Sequence, residues 1–343
     1  MRGARGRRMA LAVAVLALLL TACSPGEEPP RAPQPPTHRA CAGAHLDDVR
    51  GPRPSYVAGR LASFPNDDAV CRALWLPTAD RWFVPQGLTL DRSTDGRTAW
   101  VSGYRWHRGF GERACRLLHV SLRTGRLLAS TDRVAAEVYG PSPTFCRHGG
   151  ALVEDRHGLW IVESNRLWLV DPDRVGRPDQ VRRVWRLAPR VRGSVLVAGS
   201  RAVLGIGAWR DAGPDRMRWF RDRDLLAPGV TELVAGGQPD ATRVAPVRTS
   251  STVRRVQGTT RGPGGVWSTA STTYCGVLVP PDGRRIGFAP GAEGLDLVGR
   301  GRVWAVLESG SRNYQRDGRP LVPMLVQLDV RRLLRGERAT CDW

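Results

Sequence analysis

Along most of the chain apolar residues come in short runs separated by Gly, Pro and Asp, with little of the three-to-four-residue spacing that marks an amphipathic helix. Thr98-Ala99-Trp100-Val101-Ser102, Leu159-Trp160-Ile161-Val162 and Leu167-Trp168-Leu169-Val170 are such runs. Each has the length and β-branched or aromatic content of a strand, so the body is predicted to be all-β. Two segments near the start depart from this pattern. Met9 to Leu20 is continuously apolar, and Ser24 to His38 holds six Pro in fifteen residues with no large apolar side chain.

The β-rich runs repeat. A polar residue and Gly open a short apolar run, a turn follows, and a small or aliphatic residue then precedes Trp. The pattern runs from Gln86-Gly87-Leu88 to Ala99-Trp100, from His148-Gly149-Gly150 to Leu159-Trp160, from Gln257-Gly258-Thr259 to Val266-Trp267 and from Glu293-Gly294-Leu295 to Val303-Trp304. A weaker copy runs from Gly193-Ser194-Val195 to Ala202-Val203-Leu204. From Gly to Trp the steps are 13, 10, 9 and 10 residues in the four stronger copies. Repetition of this kind predicts a β-propeller of antiparallel four-stranded blades. Gly at the start of each innermost strand allows backbones to crowd at the axis, and Trp fills the space between blades. Five copies are visible. With residues 45–85 and the C-terminal strand together forming one more, the expected count is six blades, with five as the alternative. A pair of β-sandwiches fits less well, because the repeat spans the whole body.

The repeat resembles the six-bladed propellers of the gluconolactonase, strictosidine-synthase-like and TolB-like groups over roughly residues 80–330. It is similar also to uncharacterised exported propellers. That likeness is specific for architecture and says little about chemistry, since propellers host many functions.

The start of the chain carries an address. Arg2, Arg5, Arg7 and Arg8 precede the apolar run, and no acidic residue occurs before Glu27. Met9–Leu20 is too short for a membrane span, which needs about 20 apolar residues, and matches a signal-peptide core. Leu20-Thr21-Ala22-Cys23 resembles the lipobox of bacterial lipoproteins, which implies diacylglyceryl attachment to the Cys23 sulfur, cleavage before it, and acylation of the palmitate type. The expected division is therefore a signal peptide over 1–22, lipidated Cys23 with a Pro-rich stalk over 23–44, and a propeller over 45–343. The expected location is the extracytoplasmic face of the cell membrane. Several acyl chains on one Cys hold well, each buried methylene contributing about 0.8 kcal/mol.

Composition agrees with export. Apart from Cys23 there are six Cys, at 41, 71, 115, 146, 275 and 341, an even number that in an oxidising compartment suggests three disulfides. Neighbours in sequence give the pairs Cys41–Cys71, Cys115–Cys146 and Cys275–Cys341 as the favoured pattern among the possible ones. No Cys-x-x-Cys is present, which disfavours zinc and thioredoxin-like redox roles. All 52 basic residues are Arg, and the formal charge of +20 falls to about +16 once residues 1–22 are removed. The Arg are interleaved with acids, as in Arg221-Asp222-Arg223-Asp224, so a nucleic-acid stripe is not expected. Such a surface is drawn to anionic lipid head groups and wall polymers.

Candidate chemistry follows from the repeat. The residues before the hub glycines, Gln86, His148, Gln257 and Glu293, should converge at one channel mouth, the natural binding site of such a ring. The lactonase resemblance implies a divalent metal held there by a Glu before Gly together with Asn and Asp from other blades. Glu293-Gly294 matches the first element and Asn165 is a candidate second, but no paired Asn and Asp follow and Leu295 stands where that family has Pro. Ca²⁺ wants six to eight oxygens, so polar residues capping the channel with waters are the preferred reading. His148 is a candidate general base or a turn residue. No Gly-x-Ser-x-Gly, His-Glu-x-x-His or phosphate-binding Gly loop occurs. His45-Leu46-Asp47-Asp48 reads as a solvated turn in preference to a ligand cluster, and the Glu308-Ser309-Gly310 to Arg312-Asn313-Tyr314 stretch after the last Trp strand reads as a surface loop in preference to a function-bearing loop at the mouth. Arg105-Trp106-His107-Arg108 and Arg216-Met217-Arg218-Trp219-Phe220-Arg221 suit either polymer binding or Arg covering packed Trp.

The functional expectation is a monomeric, non-enzymatic binding or scaffolding module, tethered to the membrane by lipid and without a cofactor. Its partner would be an anionic wall polymer or an exported protein, not nucleic acid. The alternative is a lactonase-like hydrolase using Ca²⁺ or another divalent metal near Glu293.

Overall fold

The computed structural model describes residues 41–79, 82–106, 114–138, 142–299, 301–315 and 319–343. The expected signal peptide, the lipidation site Cys23 and most of the stalk lie outside these residues. Among the described residues no helix is long and apolar enough to cross a membrane.

The body is an all-β propeller of antiparallel blades. Blade one is Phe83–Leu90, Thr98–Arg105, Cys115–Ser121 and Leu127–Thr131 from hub to rim. Blade two is Ala151–Asp155, Gly158–Glu163, Arg166–Val170 and Val181–Leu187. Blade three is Val195–Ala198, Val203–Gly207, Arg216–Arg221 and Arg248–Ser251, and blade four is Val256–Gly262, Gly265–Ser271, Gly276–Val279 and Ile286–Phe288. Blade five takes three strands from the C-terminal region, Ala292–Val298, Arg302–Leu307 and Leu325–Asp329, and its rim strand, Val70–Leu74, from the start of the body.

Among the described residues the ring closes with five blades, not six. The strand from residues 45–85 and the last C-terminal strand pair with each other, Val70 opposite Leu328 and Leu74 opposite Leu325, but both join the repeat that begins at Glu293. They complete an existing blade and leave nothing over for another. Mixing the two ends of the chain in one sheet removes a free edge and locks the ring.

The hub glycines sit where the repeat requires. A Cβ on Gly87 would lie 2.7 Å from the backbone nitrogen of Leu152 in blade two, and one on Gly294 would lie 2.5 Å from the backbone nitrogen of Leu88 in blade one. At Gly258 it would collide with the Glu293 carbonyl of blade five. The Thr259 hydroxyl donates to the Leu196 carbonyl at 3.0 Å, joining blade four to blade three.

The Trp residues act as wedges. Trp100 is buried with Leu152 and Ile161 of blade two, Trp160 with Leu196 and Ile206 of blade three, Trp267 with Leu295 and Val303 of blade five, and Trp304 with Leu88 and Val101 of blade one. Blade three lacks a Trp in its second strand, and Trp219 of its third strand packs with Val195 and Val256 in its place. The Arg248 guanidinium lies 3.9 Å over the Trp219 ring, so the Arg–aromatic run of residues 216–221 belongs to blade packing.

Two devices protect the rim. The segment between the last two strands of blade three crosses to blade two, where Glu232–Leu233 pairs in parallel with Val181–Leu187 and covers its edge. All three favoured disulfides are formed, with Cα–Cα distances of 4.0, 5.1 and 5.9 Å for Cys41–Cys71, Cys115–Cys146 and Cys275–Cys341. The first fastens Cys41 to the closing strand, and Gly43 N–H donates to the Val70 carbonyl at 3.2 Å, so the folded body includes residues 41–44 of the expected stalk. Leu46–Asp48 is a single exposed turn of 3₁₀ helix, in keeping with a solvated segment.

Candidate functional site

Inner strands of a propeller run the same way, so their first residues meet at one mouth and their last residues at the other. In three blades the residue before the hub glycine also falls at a break in strand register: between Pro85 and Gly87, between Val256 and Gly258, and between Ala292 and Leu295. Gln86, Gln257 and Glu293 are thus bulge residues, and a bulge re-aims its side chain out of the pleat, here toward the axis.

All four expected residues come together. Gln86, His148, Gln257 and Glu293 line one cavity of about 610 Å³ at this mouth, with Ser164, Ser194, Thr272, Tyr104 and Trp209 among its other walls. His148 stacks on Tyr104, ring centroids 4.7 Å apart, so its ring has a packing role and a defined orientation. Trp209 remains 43% exposed at the rim, and Arg255 Nε donates to Asp211 Oδ1 at 2.7 Å beside it.

The chemical centre is a pair of carboxyls. Glu293 is 1% exposed, and it shares a hydrogen bond with Glu308, which is also buried. Gln86 Nε2 donates to Glu308 Oε2 at 3.0 Å, and the Tyr314 hydroxyl also bonds Glu308. Burial is the largest effect on Glu308 and raises its carboxyl to about 7, against the pull of Tyr314, Gln86 and Glu293 hydrogen bonds and the Arg319 charge. Burial, then the neighbouring Glu308 charge, holds Glu293 well above the carboxylate range. Burial also pushes the Tyr314 phenol up. The two acids therefore hold on to a proton as a pair near neutral pH. Among the described residues Glu293 Oε1 has no hydrogen-bond partner, although it is buried.

Glu308 and Tyr314 belong to the stretch expected to be a surface loop. The structure corrects this: Glu308, Ser309 and Gly310 form a buried 3₁₀ turn beneath the mouth, held by Ser311 Oγ donating to the Glu308 carbonyl at 2.7 Å. The one legible signal was an acid directly after a Trp strand. Asn165 is not brought to Glu293. It lies exposed in the turn after Gly158–Glu163 and lines a separate groove with Arg166, Arg186 and Arg192, a setting that repels cations.

The residues at the mouth fit a Ca²⁺ ion poorly. Glu293 and Glu308 are the paired carboxylates at this mouth, and Gln86 turns its nitrogen, not its oxygen, toward Glu308, a set short of the six to eight oxygens that Ca²⁺ takes. They fit a ligand that trades hydrogen bonds with a carboxyl pair, amides and hydroxyls.

No protein-family profile matches this sequence, and no curated protein is significantly similar to it. Solved structures similar to the chain include the WD40 domain of Neurospora crassa Pan2, at 9% identity and a TM-score of 0.38 over 76% of this chain and 65% of that one. Others are a putative oxidoreductase (glucose dehydrogenase) of Thermus thermophilus and the PQQ-bound aldose sugar dehydrogenase of Streptomyces coelicolor. Both are 12% identical, with TM-scores of 0.36 and 0.31, and each match covers 71% of this chain; they cover 82% and 79% of those chains. This chain thus spans about two thirds of the Pan2 domain. The likeness concerns fold only.

Proposed function

We propose that this protein is a lipid-anchored, extracytoplasmic propeller that binds a small, neutral, polyhydroxylated ligand, such as a sugar unit of a glycan, at the mouth lined by Gln86, His148, Gln257 and Glu293. The observation that carries the reading is the Glu293–Glu308 pair. It keeps one proton, can both donate to and accept from a hydroxyl, and leaves the buried Glu293 Oε1 unpartnered beside a cavity. Buried polar atoms are ordinarily satisfied, so a ligand or water completes this one. Amides from Gln86 and Gln257 supply further bonds, and the exposed Trp209 ring offers an apolar face for a sugar to stack on. An anionic ligand would meet the Glu308 charge.

The test uses the full chain in a non-glycosidic detergent. Tryptophan fluorescence is titrated with a panel of neutral mono- and disaccharides. Saturable binding should weaken at least tenfold in Trp209→Ala and in Glu308→Ala. If no sugar on the panel binds, or both variants bind as well as the parent, the reading fails. For the anchor, Cys23→Ser should move the protein from the membrane to the soluble extracytoplasmic fraction.

A second reading has one observation in its favour. A carboxyl held near 7 beside a second buried one is suited to general acid–base work. It makes a metal-free hydrolase of lactones or glycosides the alternative, and product analysis on the same panel separates hydrolysis from binding.

A further inference from the structure

The last residues of the inner strands meet at the other mouth. Asp155 ends the hub strand of blade two, His157 lies two residues further on in the hairpin turn, and Asp222 begins the short helix Asp222–Leu225 of blade three. One ligand atom from each lies within 4.8 Å of the other two. Asp155 and Asp222 line a cavity of about 480 Å³ between the blades.

Asp222 sets this group apart from an ordinary surface cluster. It is 6% exposed, yet among the described residues its carboxylate accepts no hydrogen bond and makes no ion pair. A carboxylate largely withdrawn from water is costly unless something pairs with it, and the charges nearest Asp222 are His157 and Arg156 on one side and Asp155 on the other. Asp296, another deeply buried acid at this mouth, shows what the fold does elsewhere. Its two oxygens accept from Leu90 N–H at 2.9 Å, Leu297 N–H at 2.8 Å and the Thr260 hydroxyl at 3.0 Å, tying blades one, four and five. Asp222 has no such set. Asp155 uses one oxygen to accept from His157 N–H at 2.7 Å, which pins the hairpin and leaves its other oxygen available.

We infer that Asp155, His157 and Asp222 form a divalent transition-metal site that clips blade two to blade three. Two carboxylates and an imidazole are the donor set of a borderline ion such as Zn²⁺ or Mn²⁺, whereas a Ca²⁺ site would be all oxygen. Metal–ligand bonds of about 2.0–2.2 Å would draw the three atoms to within about 3.5 Å of one another. Arg156 opposes the ion. Its Nε donates to His157 Nε2 at 3.1 Å and occupies the imidazole lone pair, but the side chain is exposed and free to swing into water.

The test is equilibrium titration of the untagged, chelator-stripped full chain with Zn²⁺ against a competing indicator dye, with melting temperature as a second readout. One Zn²⁺ per chain is expected, with a rise in melting temperature on saturation. Asp222→Asn and His157→Gln should each weaken binding at least tenfold and remove that rise, Arg156→Ala should tighten binding, and Glu293→Gln at the far mouth should leave it unchanged. His157 is half-buried in a surface turn, its ring edge-on to Trp160, and Gln keeps its volume, so its variant remains informative if Asp222→Asn folds poorly. Less than one ion per chain, or full affinity in the His157 variant, or loss of binding in Glu293→Gln, overturns the assignment. The ligand site at the first mouth stands or falls separately, because its sugar titration is done in chelator.

Discussion

Glu308→Gln is expected to stabilise the protein at neutral pH and to leave it nearly unchanged in mild acid. In the unfolded chain a Glu carboxyl ionises near 4.5, whereas burial holds folded Glu308 up to about 7. Below 4.5 both states keep the proton and the shifted group contributes nothing. Between 4.5 and about 7 the unfolded chain releases a proton that the folded chain retains, so stability falls as pH rises and then levels off. At about 1.4 kcal/mol per pH unit, that interval corresponds to a loss on the order of 3 kcal/mol. Gln at position 308 cannot ionise and still offers an acceptor to Gln86. Glu154, also raised to about 7 by burial, acts with the same sign, but it is present in both proteins and cancels in the comparison. Asp91, Asp171 and Asp329 are held below the usual range, so their stabilisation is lost only as pH falls through lower values, outside the window. Urea unfolding at pH 4.5, 5.5, 6.5 and 7.5, disulfides intact, measures the effect as a shift in midpoint at constant slope. The reasoning is refuted if the two proteins give parallel stability profiles across this range, or if the variant is the less stable at pH 7.5.

Three further outcomes follow from the packing. Gly294→Ala places a methyl 2.5 Å from Leu88 N and 2.8 Å from the Gln86 carbonyl, neither of which can move without opening the hub, so calorimetry should show a loss of about 3 kcal/mol or no folded protein at all. Trp160→Ala removes a fully buried ring stacked 5.4 Å from Trp185 and should cost about 3–5 kcal/mol in urea unfolding, well beyond the same change at exposed Trp209. Replacing Cys41 and Cys71 by Ala frees a loop with a sequence separation of 30 residues and should cost about 3.6 kcal/mol, read as a lower urea midpoint.

Much of the architecture was written locally. A strand is a matter of side-chain type over a few residues, and a polar residue followed by Gly and, about ten residues on, by Trp describes one blade from within itself. Those spacings placed the hub glycines, the indole wedges and the four residues Gln86, His148, Gln257 and Glu293 at one mouth. The even Cys count and the order of the Cys led to the three disulfides in the same way, since two join segments 30 and 31 residues apart and the third, 66 apart, joins the two Cys then left over.

What the tertiary structure alone decided concerns residues distant along the chain. The number of blades is fixed by which sheet accepts Val70–Leu74, a choice between edges some 250 residues apart that no local pattern records. Glu308 became a partner of Glu293 only because the turn carrying it folds under the mouth, and burial rather than residue type gave the pair its shared proton. Asn165 was lost from the site because one position along a tight turn separates the channel wall, where Ser164 lies, from an outer groove. Asp222 reads in sequence as one more acid in an alternating charged run, and it is the packing of blade three against blade two that buries it beside Asp155 and His157. Short-range chemistry sets the strands and the hub, while ionisation and ligand geometry depend on the water that packing removes, which only the closed ring determines.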